Sequence, residues 1–229
     1  MARILLGVTG SVAAVRTPRL FEELCRRGHQ VKVVATQAAL YFFDPAALGP
    51  ANPAKPERNR DAVILDADEW PGRDAGWLYE RAQPVMHIEL RRWAELFVIA
   101  PLDANTLAKL VNGICDNCLT CVWRAWDPAR PVVVAPAMNT LMWQHPLTKR
   151  QLRQLGCDMG AGHVPGHLDD EHLIAQINDR SRTLRIVAPQ VKALACGDVG
   201  IGAMAEVDAI ADHVGEVIHR AAPTGPPIQ

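Results

Sequence analysis

The sequence predicts an α/β protein built on one parallel β-sheet with helices on both faces. Short apolar stretches alternate with longer amphipathic stretches, as strands and helices do in such folds. The short stretches are almost wholly apolar, which is typical of strands that are buried on both faces. At 229 residues, of which 49% are apolar and 21% charged, the chain suits a single ordered domain. We expect this domain to span residues 1–220 and a flexible tail to span 221–229.

The expected elements follow one another as strand, helix and strand. A first strand at 3–8 is followed by a turn and a helix, which ends where Gly28 interrupts the pattern. Further strands are expected at the apolar runs 31–35, 96–100, 131–135 and 184–188. Further helices are expected where apolar residues have helical spacing, at 84–94, 104–124 and 145–155. Residues 44–61, rich in Pro and Ala, and the polar segment 159–182 are expected to be less regular.

Charge and hydropathy exclude several classes of partner. Lys and Arg total 24 against 25 for Asp and Glu, so a net charge of -1 favours neither a nucleic acid nor an anionic membrane. The longest apolar runs are far shorter than the roughly 20 residues that span a bilayer. The first residues run into a turn too early for a secretory signal, so we expect a cytoplasmic protein.

Two groups of residues have the composition of metal ligands, but no metal site is expected. Three of the six cysteines have C-x2-C-x2-C spacing: Cys115, Cys118 and Cys121. An iron–sulfur cluster is disfavoured because no fourth cysteine follows and the segment is expected to be helical. Three histidines fall among glycines and prolines in an expected surface loop: His163, His167 and His172. Without an export signal, the cysteines are not expected to form disulfides.

The ends of the first two strands suggest a phosphate site. Ligands of open α/β sheets bind beyond the carboxyl ends of the strands. Gly10 and Ser11 follow the first strand at the start of a helix, where backbone N–H groups favour a phosphate. The G-x-G-x-x-G pattern is absent, and the second strand ends in Thr36 and Gln37 instead of an acidic residue. A mononucleotide is therefore favoured over NAD, although a simple turn is the alternative.

The later strand ends add amide and carboxylate groups. Asp103, Asn105 and Thr106 follow the strand at 96–100, and Asn139 follows the strand at 131–135. Helix capping alone is the alternative explanation, since Asp and Asn are good N-caps. Two such polar strand ends side by side are harder to explain by capping.

Two further candidates lie outside these strand ends. His87 lies on the helix that precedes the strand at 96–100; a structural histidine is the alternative. Cys196 opens a glycine-rich segment, 195–206, that is expected to be a mobile loop closing over a substrate. A plain surface connection is the alternative for that segment.

Several motifs together resemble one family, the homo-oligomeric flavin-containing cysteine decarboxylases. The motifs keep one order along nearly the whole chain. They are Gly-Val-Thr-Gly-Ser-Val-Ala-Ala at 7–14, Asp-Ala-Asp-Glu-Trp at 66–70, the His87 segment 87–94, segments 101–106 and 112–117, Pro-Ala-Met-Asn-Thr-Leu-Met-Trp at 136–143, and the Cys196 loop.

The resemblance implies a flavodoxin-like or Rossmann-like sheet, FMN as cofactor, and a homotrimer or a larger homo-oligomer with FMN at a subunit interface. By position it implies FMN contacts from Gly10, Ser11, Val12, Thr36, Gln37, Asp103, Ala104, Asn105, Thr106 and Ala137. It implies that His87 is the base, Cys196 the proton donor and Asn139 the ligand of the substrate carboxylate. Ala195, Gly197 and Met204 would belong to a substrate-binding clamp.

The implied activity is the decarboxylation of 4'-phosphopantothenoylcysteine to 4'-phosphopantetheine in coenzyme A biosynthesis. The implied steps are thiol oxidation, loss of CO2 and reduction of the resulting enethiol, in which Cys196 supplies a proton. Relatives with the same fold decarboxylate peptidyl cysteine, transfer prenyl groups to flavin, or regulate a phosphatase without catalysis. The Cys196 clamp favours the coenzyme A activity over the other two enzyme activities, and the presence of His87, Asn139 and Cys196 together favours it over the regulatory role.

Overall fold

The computed structural model describes residues 1–48, 63–81, 83–193 and 199–221. Eight strands are present in this part of the chain: β1 Arg3–Val8, β2 Gln30–Ala35, β3 Val63–Leu65, β4 Leu96–Leu102, β5 Val132–Pro136, β6 Leu184–Ile186, β7 Gln190–Ala193 and β8 Val199–Ala203. Six of them form a sheet in the order β3-β2-β1-β4-β5-β6, and every pair in that sheet is parallel. Strands β7 and β8 form a separate antiparallel pair. Residues 222–229 of the expected tail lie outside the described part.

Nine helices accompany the strands: α1 Thr17–Arg26, α2 Asp66–Glu69, α3 Met86–Trp93, α4 Ala104–Asn112, α5 Cys118–Ala125, α6 Thr140–Gln144, α7 Pro146–Gly156, α8 Asp170–Arg180 and α9 Val207–Ala221, counted over the described residues. None of these helices is long and apolar enough to cross a bilayer.

The sheet is buried because it packs against helices on both faces. All residues of β4 and β5 are buried, and alternate residues along β4 point into two different hydrophobic clusters. Phe97 packs with α5 in one cluster, and Val98 packs with α1 and α9 in the other. This arrangement confirms the predicted α/β fold with one parallel sheet covered on both faces.

Some expected elements differ from the structure. Strand β3 is absent from the prediction, and residues 49–61 of the expected irregular segment lie outside the described part. The expected helix 104–124 is two helices, because α4 ends at Gly113 and Asn117 caps the start of α5. The expectation for 159–182 is wrong, since it contains α8, which begins at the capping residue Asp169.

The carboxyl end of β1 lies where the strand order of the sheet reverses, which we call the branch point of the sheet. From β1 the sheet extends through β2 and β3 on one side and through β4, β5 and β6 on the other. At such a point the connections after neighbouring strands leave on opposite faces, which opens a crevice at their carboxyl ends. The loops that follow β1 and β4 therefore border the expected ligand site.

Candidate active site

A buried threonine joins the ends of β1 and β4. The Thr9 hydroxyl donates a hydrogen bond to the Pro101 carbonyl oxygen at 2.8 Å and accepts one from the Asp103 N–H at 2.8 Å. The side chain is fully buried, so neither bond competes with water. This link fixes the loop after β1 against the loop after β4.

The loop after β1 depends on a residue without a side chain. A Cβ atom at Gly10 would lie 2.6 Å from the Ala38 Cβ and 3.3 Å from Asp103 Oδ2, so any side chain there pushes neighbouring loops apart. The next residue, Ser11, accepts a hydrogen bond from the Ala13 N–H at 3.3 Å and caps the short helix Val12–Arg16. Three strand-end loops thus meet closely at Gly10.

The polar residues after β4 and β5 act as helix caps. Asp103 Oδ1 accepts a hydrogen bond from the Thr106 N–H at 2.6 Å at the start of α4. Asn139 Oδ1 accepts one from the Leu141 N–H at 2.8 Å at the start of α6. Capping therefore accounts for part of each side chain, and both residues also border a cavity.

A cavity of about 740 Å³ opens at these strand ends. This volume lies within the range of roughly 300–1,000 Å³ that is usual for small-molecule sites. The predicted residues that line it are Gly10, Ser11, Val12, Asp103, Ala104, Asn105, Ala137, Asn139 and Met204. Arg16, Met142 and Lys192, which the sequence analysis does not single out, also line it. The structure thus brings most of the predicted cofactor-binding and substrate-binding residues to one place.

The other predicted contacts line a second, smaller cavity of about 230 Å³. Its predicted lining residues are Thr36, Gln37, Asp103, Asn105 and Thr106. Asp103 and Asn105 border both cavities, so the two adjoin. The Thr36 hydroxyl is buried and has no hydrogen-bond partner among the described residues. A buried group of this kind is costly unless a ligand or water satisfies it.

His87 lies in a different environment. It is in the first turn of α3, where its backbone N–H donates a hydrogen bond to Glu69 Oε2 at 3.0 Å and its Nδ1 contacts Glu69 Oε1. The Glu69 side chain is only 3% exposed, whereas that of His87 is 24% exposed. Among the residues that line the two cavities described above, His87 does not occur.

Two cysteines, Cys118 and Cys121, lie near the Glu69 carboxylate. Burial, and after it the nearby Glu69, raises the pKa of the Cys118 thiol well above its usual range. The same causes in the same order raise the pKa of Cys121 to about 11. Both thiols therefore stay protonated near neutral pH. Cys118 is buried, and the five cysteines of the described residues are free thiols.

Part of the predicted clamp forms strand β8, which pairs with β7 in an antiparallel hairpin. The Met138 N–H donates a hydrogen bond to the Gly202 carbonyl oxygen at 3.0 Å, which joins β8 to the end of β5. Gly202 has a φ of 133°, and a Cβ there would overlap the Met138 carbonyl oxygen. The expectation of a loop over 195–206 is wrong for β8, which is a strand. Ala195, Cys196 and Gly197 lie outside the described residues.

Charged side chains hold the base of this hairpin. Arg16 donates hydrogen bonds to the carbonyl oxygens of Met204 at 3.4 Å and Ala205 at 3.3 Å, and it pairs with Glu206. Lys192 also pairs with Glu206. Hydrogen bonds from Lys192, Gln190 and Arg16 lower the pKa of Glu206 to about 2.

Glu69 is the residue whose position the sequence analysis does not explain. It belongs to the motif at 66–70, but its contact with His87 spans 18 positions of sequence and follows no helical or strand spacing. Its place in the acidic motif that precedes Trp70 is the sequence signal that marks it.

The fold and the cavity define an α/β protein with a small-molecule cavity at the branch point of a parallel sheet, where such proteins bind their ligands. Comparison with known proteins identifies the class further: the family model described as Flavoprotein matches residues 1–219. The chain belongs to this family, which confirms the resemblance predicted from the motifs.

Curated and solved relatives are similar over most of their length. A protein named phosphopantothenoylcysteine decarboxylase from Mus musculus is 43% identical over 219 residues, which cover 95% of this chain and 88% of that protein. A solved Cys-to-Ser mutant of PPC decarboxylase, complexed with pantothenoylaminoethenethiol, matches with a TM-score of 0.73 and 38% identity over 95% of this chain and 98% of that one. A structure described as the FMN binding protein AtHal3 matches with a TM-score of 0.70 and 39% identity over 97% and 99%.

Proposed function

We propose that the protein is an FMN-dependent decarboxylase that converts 4'-phosphopantothenoylcysteine to 4'-phosphopantetheine in coenzyme A biosynthesis. The observation that carries this proposal is the cavity at the ends of β1, β4 and β5, where the predicted cofactor-binding and substrate-binding residues meet. Relatives named for this activity share 43% identity with the chain, and one such solved structure holds a pantothenoyl enethiol. We assign the activity to a domain of residues 1–220.

The residues of the two cavities fit FMN. The unpartnered Thr36 hydroxyl, the Ser11 hydroxyl and the backbone of Gly10 offer hydrogen-bond donors for a phosphate. The larger cavity has a mainly apolar lining, to which Ala137 and Met138 contribute, and this suits a flat aromatic ring. When bound, FMN supplies reversible two-electron chemistry that no side chain provides.

The protein's own residues then bind the substrate and move protons. Asn139 lines the cavity and would hold the carboxylate that leaves as CO2. His87 would remove a proton in the first half of the reaction, and Cys196 would donate one in the last. Met204 lies in the cavity wall and would contact the substrate.

The position of His87 supports assembly of several copies. His87 lines neither cavity of its own chain among the described residues, yet the proposed reaction needs it at the bound substrate. We therefore propose a homotrimer or a larger homo-oligomer of a cytoplasmic enzyme, in which His87 of one copy completes the cavity of another. Closed rings of this kind are common among homo-oligomers.

The test begins with the absorbance spectrum of the purified protein, in which we expect the yellow band of a bound flavin. Incubation with 4'-phosphopantothenoylcysteine should release CO2 and yield 4'-phosphopantetheine. The Cys196→Ser variant should instead accumulate the oxidised enethiol product, because the final reduction lacks its proton donor. A peptide with a carboxyl-terminal cysteine serves as control substrate. Turnover of that peptide alone, or failure to bind FMN, would contradict the proposal.

A further inference from the structure

We infer that Glu69 is a positioning residue for His87, and that it fixes the histidine with Nδ1 protonated and Nε2 free to accept a proton. This inference rests on the proposed role of His87 in the decarboxylation. It adds a residue to the reaction that the motifs alone leave without a role.

Glu69 engages His87 with both oxygens. Oε2 accepts a hydrogen bond from the His87 backbone N–H at 3.0 Å, and Oε1 contacts Nδ1 of the same residue. The backbone contact holds the start of α3, whose capping position, Val85, offers no side-chain hydrogen bond. The ring contact orients the imidazole. A carboxylate only accepts hydrogen bonds, so Nδ1 must carry a proton, and in the neutral imidazole the lone pair is then on Nε2.

The carboxylate is itself held in place. Helix α2 follows directly on β3, and Asp68 Oδ2 accepts a hydrogen bond from the Leu65 N–H at 2.7 Å at this junction. Asp66 Oδ1 accepts one from the Cys118 N–H at 3.2 Å, and Oδ2 of the same side chain accepts one from the Gln37 N–H at 2.9 Å. The short helix is thus tied to α5 and to the loop after β2. Glu69 therefore lies at a fixed position beneath the ring.

The neighbouring thiols favour the same arrangement. Burial raises the pKa of Cys118 and of Cys121, so both remain neutral beside Glu69 and add no second negative charge. Cys118 also forms a side-chain hydrogen bond with Glu69. The His87 side chain remains 24% exposed, which leaves part of it accessible to a substrate bound by another copy. A buried acceptor that holds one ring nitrogen of a partly exposed histidine is the arrangement expected of a positioned general base.

The test compares Glu69→Gln with a matched control, Glu89→Gln. Glu89 is an exposed glutamate on α3, the helix that carries His87, and it pairs with Arg92 at the surface. A glutamine has one oxygen where Glu69 has two, so it satisfies only one of the two His87 donors. We measure the 15N and 1H resonances of the His87 ring, kcat and KM for 4'-phosphopantothenoylcysteine, and the rate of FMN reduction by that substrate.

In Glu69→Gln we expect the Nδ1-protonated form to lose its predominance. We expect kcat and the rate of FMN reduction to fall about 10-fold to 100-fold, with KM, FMN content and Tm close to wild type. Glu69→Asp should keep the tautomer and recover part of kcat. Glu89→Gln should match wild type throughout.

Three results would overturn the inference. One is an unchanged tautomer with normal FMN reduction in Glu69→Gln; another is a loss of FMN or Tm that accounts for the whole fall in rate, which would make Glu69 a structural residue. Because ligand atoms of Glu69, His87 and Cys121 lie within 4.8 Å of one another, wild type is also assayed with EDTA. Inhibition by EDTA would make Glu69 a metal ligand. If the wild-type protein decarboxylates no substrate, the proposed function fails. The His87 ring resonances in wild type and Glu69→Gln then still show whether Glu69 fixes the tautomer of His87.

Discussion

The cavity at the strand ends and the region around His87 differ in the chemical groups that form them. The cavity at the strand ends is formed by loop backbone, small residues and helix caps, with Gly10 at the closest approach. The region around His87 is formed by ionisable side chains: a buried carboxylate, an imidazole and two neutral thiols. The first region is suited to binding and the second to proton transfer. His87 lines neither cavity of its own chain among the described residues, and in the mechanism that we propose the two regions meet across an interface between copies.

The largest expected effect tests that separation by mixing two inactive variants. His87→Asn should slow FMN reduction by at least about 100-fold, because it removes the general base that we propose. Asn139→Asp should abolish turnover, because a second carboxylate repels that of the substrate. When the two are unfolded and refolded together in equal amounts, about a quarter of the sites combine an intact cavity with an intact His87 from another copy. Decarboxylation should recover to about that fraction.

Each variant refolded alone is the control for this mixture and should stay inactive. Recovery would fail to appear if His87 served the cavity of its own chain, since every site would then carry one of the two defects. That outcome would remove the interface from the proposed mechanism.

A smaller effect is expected from Gly10→Ala, which tests the cavity alone. The added methyl group would lie 2.6 Å from the Ala38 Cβ, so the loops after β1 and β2 must separate. Loss of one or two hydrogen bonds to the phosphate should weaken FMN binding by about 10-fold to 100-fold, measured by fluorescence titration. The His87 resonances should not change. Gly215→Ala, in α9 with open space around it, is the control and should bind FMN normally.

The smallest effect concerns the base of the hairpin. Hydrogen bonds lower the pKa of Glu206 from 4.5 to about 2, so its contribution to stability is present above pH 4.5 and is lost as pH falls towards 2. Glu206→Gln should therefore lower Tm slightly at neutral pH, by roughly 2 °C for so exposed a group, with the difference vanishing in acid.

Glu95→Gln is the control variant that distinguishes an effect of Glu206→Gln on stability from an effect on substrate binding. Its pKa is also lowered, first by the backbone N–H of Arg3, but it lies outside the cavity lining. Both variants should lose stability in the same pH direction, and only Glu206→Gln should raise KM. An equal rise in KM for both would contradict a role for the hairpin base in substrate binding.

The cavity could be predicted from the sequence because its parts are local. Polar residues follow several of the apolar runs within a few positions, and the rules of parallel sheets place those ends together, as with Asp103 and Asn139. The neighbourhood of His87 could not, because its contact with Glu69 depends on where β3 lies in the sheet. That strand has only three residues, Val63–Leu65, too few for a periodic pattern. Helix α8 was missed for a related reason: its acidic start conceals the buried face of Leu173 and Ile177.

Gly202 has a consequence for inhibition. Its carbonyl oxygen is bonded to the Met138 N–H, and its missing side chain lets β8 rest directly on the residues that precede Asn139. Arg16, which lines the same cavity, donates hydrogen bonds to the carbonyl oxygens of Met204 and Ala205, directly after β8. A compound that binds between Met138 and Met204 would therefore contact the cavity wall that we assign to both FMN and the substrate. A single substitution there that prevents its binding should also lower turnover.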